Sequence, residues 1–276
     1  MTKQTRKVLT AILMAVFLLS VFMLLRQQAD NSAGSDVYES ALQMAISETQ
    51  PEEMPTEATE VPETTAPPVP EWIPAPLEEE DPNIATLEAI DLKALREKNP
   101  DVLGWILIPD TKVNYPLMQG TDNGYYLEHT WDGASNSIGS IFLETRNSPD
   151  MTDFNTIIYG HNMANGAMFG NLRKYFNTEF WTKHPYVYIL NDQGIYRYDI
   201  FSAYQAQVDS STYGLSFNQV ETRINFLEMA RENSQIITDV DPAVTDRIIT
   251  LSTCSGAGYS TRWVVHARLK MIQEES

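Results

Sequence analysis

The sequence predicts a mainly β domain, a mostly antiparallel barrel or sandwich, held outside a membrane on a stalk. Three observations predict it. An uncharged apolar run, Val8–Leu25, lies near the start of the chain. Residues 48–82 hold 9 of the 15 prolines and 11 acidic residues, with no Lys or Arg. Residues 83–276 then alternate short apolar, β-branched and aromatic runs with turn residues, which is the pattern of strands.

Residues 1–26 read as a cytoplasmic basic tip and a transmembrane signal anchor. Lys3, Arg6 and Lys7 precede the apolar run and Arg26 closes it. Eighteen helical residues span about 27 Å, close to the hydrocarbon thickness of a bilayer. The basic flank keeps the N-terminus cytoplasmic and sends the rest of the chain across. The run is longer than the core of a typical cleaved signal peptide, and the small residues Asn31-Ser32-Ala33 come too late to make a good cleavage site. A cleaved signal peptide is the alternative, and both readings export the body.

Residues 27–82 read as an extracytoplasmic linker. The part over 30–47 is polar with a short helical pattern of Val37, Leu42 and Ile46. The part over 48–82 is acidic and proline-rich, so it lacks backbone donors and repels itself. In polyproline geometry its reach is at most about 110 Å.

The chain of 276 residues has a formal net charge of −18, of which the proline-rich segment carries −11. Residues 83–276 hold 15 basic and 23 acidic side chains, a net of −8. No basic run follows residue 7, which excludes the clustered cations that nucleic-acid binding needs. The single cysteine, Cys254, excludes an intramolecular disulfide. His129, His161, His184 and His266 are far apart and no zinc-ligand spacing occurs, so neither a metal nor another cofactor is expected.

Within residues 83–276 a helix starts the domain, with Asp91 as N-cap, Leu92 and Leu95 one turn apart, and Pro100 beyond its end. Strands are expected at Trp105–Ile108, Ser140–Leu143, Thr156–Tyr159, Tyr186–Leu190, Tyr196–Tyr204, Arg247–Ser252 and Arg262–Leu269. A helix over 216–232 interrupts them, with Ser216 and Gln219 as a capping box and Val220, Ile224 and Leu227 sharing a face.

Cys254 follows a buried-type strand and precedes Ser255, Gly256, Ala257 and Gly258, a rigid support with an open backbone ahead. That placement suits a nucleophile, and it equally suits a buried structural cysteine. A thiol needs a base or a cation that lowers its pKa. His161, in a loop just past the strand Thr156–Tyr159, is the leading base; loops hung from strand ends are common sites of catalytic groups. His266 is its rival, but it lies four strand residues, about 13 Å, from Arg262. Arg262 opens the strand after the cysteine. It can return a fixed cation toward the sulfur, or stand as a surface arginine.

Together these residues resemble a class B sortase. The resemblance covers about residues 84–270. It rests on Asn99-Pro100-Asp101-Val102-Leu103-Gly104-Trp105-Ile106, Asp122-Asn123-Gly124-Tyr125-Tyr126-Leu127, Gly139-Ser140-Ile141-Phe142-Leu143 and Ile158-Tyr159-Gly160-His161-Asn162-Met163. It continues through Met168-Phe169-Gly170-Asn171-Leu172, Ile249-Thr250-Leu251-Ser252-Thr253-Cys254 and Arg262-Trp263-Val264-Val265-His266-Ala267.

The resemblance implies an eight-stranded sortase-type β-barrel over 83–276, with a helix before it and another in the loop before the cysteine strand. It implies a membrane-held cysteine transpeptidase with His161, Cys254 and Arg262 as catalytic residues, and Asn123, Leu127, Tyr213 and Ser252 lining the substrate pocket. Implied partners are exported proteins with a C-terminal sorting motif and an amine of the cell wall, from a peptidoglycan precursor or cross-bridge, or of a pilin lysine. An exported cysteine peptidase that only hydrolyses and a stalked surface binding module are the competing readings.

Overall fold

The computed structural model describes residues 3–46, 81–254 and 260–273. The proline-rich segment of the expected stalk and the small residues after Cys254 lie outside them. Eight strands close into a barrel: β1 Val102–Leu107, β2 Asn114–Met118, β3 Ile141–Leu143, β4 Asn155–Tyr159, β5 Tyr186–Asn191, β6 Gly194–Gln207, β7 Ile248–Cys254 and β8 Thr261–Gln273. Around the barrel they run β1-β2-β3-β4-β7-β8-β6-β5. The pairs β2–β3 and β4–β7 are parallel and the others antiparallel. Closure leaves no long exposed edge.

The seven expected runs all become strands. The added one, β2, contains Pro116, which lacks a backbone donor. Pro116 faces Trp105 of β1, while the pairing with β3 covers only Leu117 and Met118, so the proline sits where the strand has one neighbour.

Among the described residues five α-helices accompany the barrel. The first, α1, runs unbroken from Lys3 to Ile46 and is long and apolar enough to cross a membrane. Its C-terminal part carries the helix into the first residues of the expected linker, where Tyr38, Ala41 and Ala45 are buried in the barrel's main core. The Tyr38 hydroxyl donates to the Gly139 carbonyl at 2.6 Å, and Trp131 Nε1 donates to the Val37 carbonyl at 3.2 Å. The polar look of 30–46 is that of an amphipathic helix whose narrow small-residue stripe fits the barrel surface.

Next come α2 Pro82–Glu88, capped by Asp81, and α3 Leu92–Lys98, capped by Asp91 through its carboxylate to Ala94 N at 2.9 Å. The short α4 is Thr178–Lys183 and the late helix α5 is Val220–Asn233. Two expectations about α5 are corrected. Its N-cap is Gln219, with no side-chain cap, so Ser216 and Gln219 form no capping box. Its buried face is Phe226, Leu227 and Ala230, whereas Val220 and Ile224 are 61% and 39% exposed. That face closes a second core on the outside of the barrel with Phe154, Phe201, Tyr204, Ile248 and Val264.

Candidate active site

The β7–β8 ladder positions the site. Side chains alternate along a strand, so residues two apart share a face. Reading down one face, Cys254 opposes Arg262, Ser252 opposes Val264, and Thr250 opposes His266. Cys254 and Arg262, eight residues apart in the chain, are direct cross-strand neighbours. Arg262 is half-buried and anchors one guanidinium nitrogen on the Thr261 carbonyl at 2.9 Å. The Cys254 side chain lies outside what is described; its backbone ends β7.

His161 follows β4, whose parallel pairing with β7 sets Tyr159 beside Ser252. Gly160 precedes it because a Cβ there would stand 2.8 Å from the Phe169 ring. Gly139, at φ 61°, is the second enforced glycine: a Cβ would meet the Tyr126 and Leu127 carbonyls and the His161 ring within 2.9 Å. His161 Nε2 lies 2.6 Å from the Leu127 carbonyl oxygen. A carbonyl only accepts, so Nε2 carries a hydrogen, and in the neutral ring the basic lone pair is on Nδ1. This backbone contact is an orienting group for His161 that no sequence signal announced.

A cavity of ≈ 360 Å³ opens between these elements. It is lined by Asn123, Leu127, Phe142, Tyr159, Gly160, His161, Ser252, Thr253 and Arg262. Three of the four expected pocket residues, Asn123, Leu127 and Ser252, therefore share one cavity with His161 and Arg262. Tyr213 stands one step back: its hydroxyl and Ser252 Oγ are 2.9 Å apart.

Sequence reasoning missed Glu144, which organises one wall. Its side chain is 1% exposed and pairs with Arg146 Nε at 2.7 Å. It also accepts from Asn123 Nδ2 at 2.8 Å and from the Tyr159 hydroxyl at 3.0 Å. Burial alone would raise its pKa, but the hydrogen bonds from Arg146, Asn123 and Tyr159 outweigh it and bring it down to about 2. Asn123 is locked further because its Oδ1 accepts from Thr145 N at 3.0 Å. The one available hint was a carboxylate closing the apolar run Ile141-Phe142-Leu143, with Arg146 two residues on.

His266 is removed from the chemistry. It is wholly buried, 0% exposed, among Phe201, Tyr204 and Phe226. Burial pushes its pKa from 6.5 down to about 3. His129 stacks on Tyr125 with ring centroids 3.9 Å apart, and His184 Nδ1 lies 3.0 Å from the Pro109 carbonyl.

Comparison with known proteins agrees with this architecture. Residues 106–270 match the family model of the sortase domain. Sortase B of Listeria monocytogenes is 38% identical over 164 residues, 59% of this chain and 67% of that protein. Sortase B of Staphylococcus aureus is 35% identical over 179 residues, 64% of this chain and 73% of that protein. The solved S. aureus sortase B–substrate complex superposes with a TM-score of 0.62 at 33% identity, covering 67% of this chain and 85% of that one. Sortase B from B. anthracis in complex with AAEK1 gives 0.67 at 30% identity, covering 89% and 99%. By its closed barrel, its matched domain and these relatives, the chain belongs to the sortase family of cysteine transpeptidases, in the class B branch.

Proposed function

We propose that the chain is a membrane-anchored enzyme that cleaves a C-terminal sorting motif of exported proteins and joins them to a cell-wall amine. Cys254, as thiolate, attacks a backbone carbonyl of the motif. The carbonyl oxygen takes the negative charge, and the Arg262 guanidinium, a planar fork of donors, stabilises it. The C–N bond then breaks as His161 gives its proton to the leaving amine, which leaves a thioester on Cys254. An incoming amine attacks the thioester carbon, an amide forms, the C–S bond breaks and the thiolate returns; the amine's proton passes to His161. Asn123, Leu127 and Ser252 line the cavity and Tyr213 backs it, so the peptide lies along that wall.

What supports this reading most is the cross-strand opposition of Cys254 and Arg262 beside a cavity that His161 also lines. The proposed organisation is an anchor over 1–26 with a cytoplasmic N-terminus, a linker through 82, and a catalytic domain over 83–276 outside the membrane. The docked end of α1 belongs to that linker as a fixed bracket on the barrel.

The test is the full-length protein in detergent with a library of quenched peptides, with and without an added amine, followed by intact mass. The expected result is an acyl adduct on Cys254, absent in Cys254→Ala, and an amine-dependent ligated product. An adduct that yields only hydrolysed peptide with every amine tried favours a peptidase. No adduct from folded protein across the library favours a stalked binding module.

A further inference from the structure

His266 lies one step below the site on the same face of the β7–β8 ladder as Arg262 and Val264. It is buried yet fully engaged. Nδ1 is 2.9 Å from Thr250 Oγ1 and Nε2 is 3.0 Å from the Tyr204 hydroxyl. Thr250 Oγ1 continues to Asn155 Oδ1 at 2.6 Å. Asn155 Nδ2 reaches the carbonyl oxygens of Thr212 and Gly214 at 3.3 and 3.0 Å. The Tyr204 hydroxyl, on the other side, is 2.8 Å from Thr212 Oγ1. The contacts form a closed ring that leaves Thr212 by its hydroxyl and returns to it by its carbonyl.

The direction of every bond follows from one point. The Thr212 and Gly214 carbonyls only accept, so Asn155 aims its NH2 at them and its Oδ1 at Thr250. Thr250 donates to Oδ1 and therefore accepts from His266 Nδ1–H. With its pKa lowered to about 3 the ring is neutral, so Nε2 is a lone pair and accepts from Tyr204. Tyr204 then accepts from Thr212. Met229 Sδ, 3.2 Å from the Tyr204 oxygen, is a weaker acceptor for the same hydrogen. Asn155, Thr212, Thr250 and His266 are each at most 1% exposed, and Tyr204 is 4% exposed.

The ring joins β4, β6, β7 and β8 to the 3-10 turn Ser211–Tyr213. Tyr213 is the residue of that turn whose hydroxyl meets Ser252 in the cavity wall. Apolar side chains of the same shape would fill this space without desolvating five polar groups. What they would not supply is a directional grip on the backbone of the turn.

We infer that this buried ring is the device that holds Tyr213 against the active-site cavity, and that Asn155, Tyr204, Thr212, Thr250 and His266 are positioning residues for the peptide substrate. Its kinetic consequence rests on the transpeptidase reading; its structural consequence does not.

Tyr204→Phe and Thr212→Val each delete one donor with little change in shape, and Thr212→Ser keeps the donor. In the full-length protein in detergent three quantities are measured: hydrogen exchange at the Tyr213 and Gly214 amides, KM and kcat for a cleaved peptide, and the rate of Cys254 alkylation by iodoacetamide. Exchange at both amides is expected to quicken, and KM to rise, by about tenfold, the loss of one hydrogen bond. Thr212→Ser stays near wild type. The kcat and the alkylation rate change by less than about twofold, because the ring touches no reacting atom. The double variant Tyr204→Phe/Thr212→Val is expected to be little worse than either single one, since a broken ring is broken once. Variants that lose stability while exchange at Tyr213 and KM stay normal would reduce the ring to packing and overturn the inference. If wild-type protein turns over no peptide, the transpeptidase reading fails, and the exchange measurement alone decides the ring.

Discussion

His161 and His266 are one residue type in two opposite surroundings. His161 hangs from the end of β4 in a loop, half exposed, with Nε2 on a backbone carbonyl. His266 sits in the middle of β8, held by Thr250 and Tyr204 and enclosed by aromatic rings. A proton-transfer group must hold a proton and exchange it with substrate or water. The interior around His266 forbids the charged ring, so its imidazole serves as a fixed polar link. On the proposed mechanism the same strand pair has its reactive end at Cys254–Arg262 and a structural end at Thr250–His266, four residues apart.

Alanine in place of each histidine should separate the two roles. His161→Ala is expected to lower peptide transfer about 10³-fold, within the range of general-acid contributions, while stability changes by less than about 0.5 kcal/mol. His266→Ala should cost about 3 kcal/mol of stability through its cavity and the unpaired hydroxyls it leaves. Thermal unfolding and peptide turnover of both variants check this; a stable but inactive His266→Ala would break the contrast.

Acid sharpens the same contrast. The folded His266 stays neutral to about pH 3, while the unfolded chain protonates it below its ordinary pKa of 6.5. Its stabilisation is therefore complete above pH 6.5 and is lost as pH falls from there toward 3, at about 1.4 kcal/mol per pH unit. Glu144 acts lower. Its pKa falls from 4.5 to about 2, so its contribution is present above pH 4.5 and is lost as pH drops through about 2. Denaturant midpoints between pH 7 and 4 should fall for the wild type and flatten for His266→Gln. Equal slopes in the two proteins would contradict a neutral buried imidazole.

At the reactive end, Arg262→Lys is expected to reduce kcat/KM about 10²-fold, because a point charge cannot reproduce the planar fork. Turnover near normal would remove Arg262 from the chemistry. The smallest effect belongs to Glu144→Gln. It keeps the shape of the wall but weakens the charge-assisted bonds to Arg146, Asn123 and Tyr159, so KM should rise about threefold and stability fall by about 1–2 kcal/mol. A change confined to kcat would show that Glu144 does more than set the wall.

Much of the barrel was legible in the sequence because its strands carry their own signal. Tyr186–Leu190 is a continuous aromatic and aliphatic run and Tyr196–Tyr204 is an aromatic-rich stretch interrupted by Arg197 and Asp199, and the two pair as neighbours in β5 and β6. Pro116 hid β2, since its single-neighbour position depends on the short reach of β3. The start of α5 differs because Ser216 and Gln219 have the spacing of a capping box but the helix begins only after Gln219, which is itself the N-cap and makes no side-chain cap. In the site, Cys254 and Arg262 were near enough in sequence to suggest a returning strand. The bond between Asn123 and Glu144 crosses 21 residues, and nothing local predicts it. The Leu127 carbonyl that orients His161 has no side-chain signature at all.

The sequence by itself determined the apolar N-terminal run, the proline-rich acidic segment, the strand pattern and the lone thiol. Each is a property of residue type and period along the chain. Only the tertiary structure decided that the C-terminal end of α1 docks through Tyr38, Ala41 and Ala45, that Glu144 ties the cavity wall, and that His266 is buried and held neutral. Burial and hydrogen-bond direction are set by what the rest of the chain brings to a residue, and that is fixed only when the barrel closes.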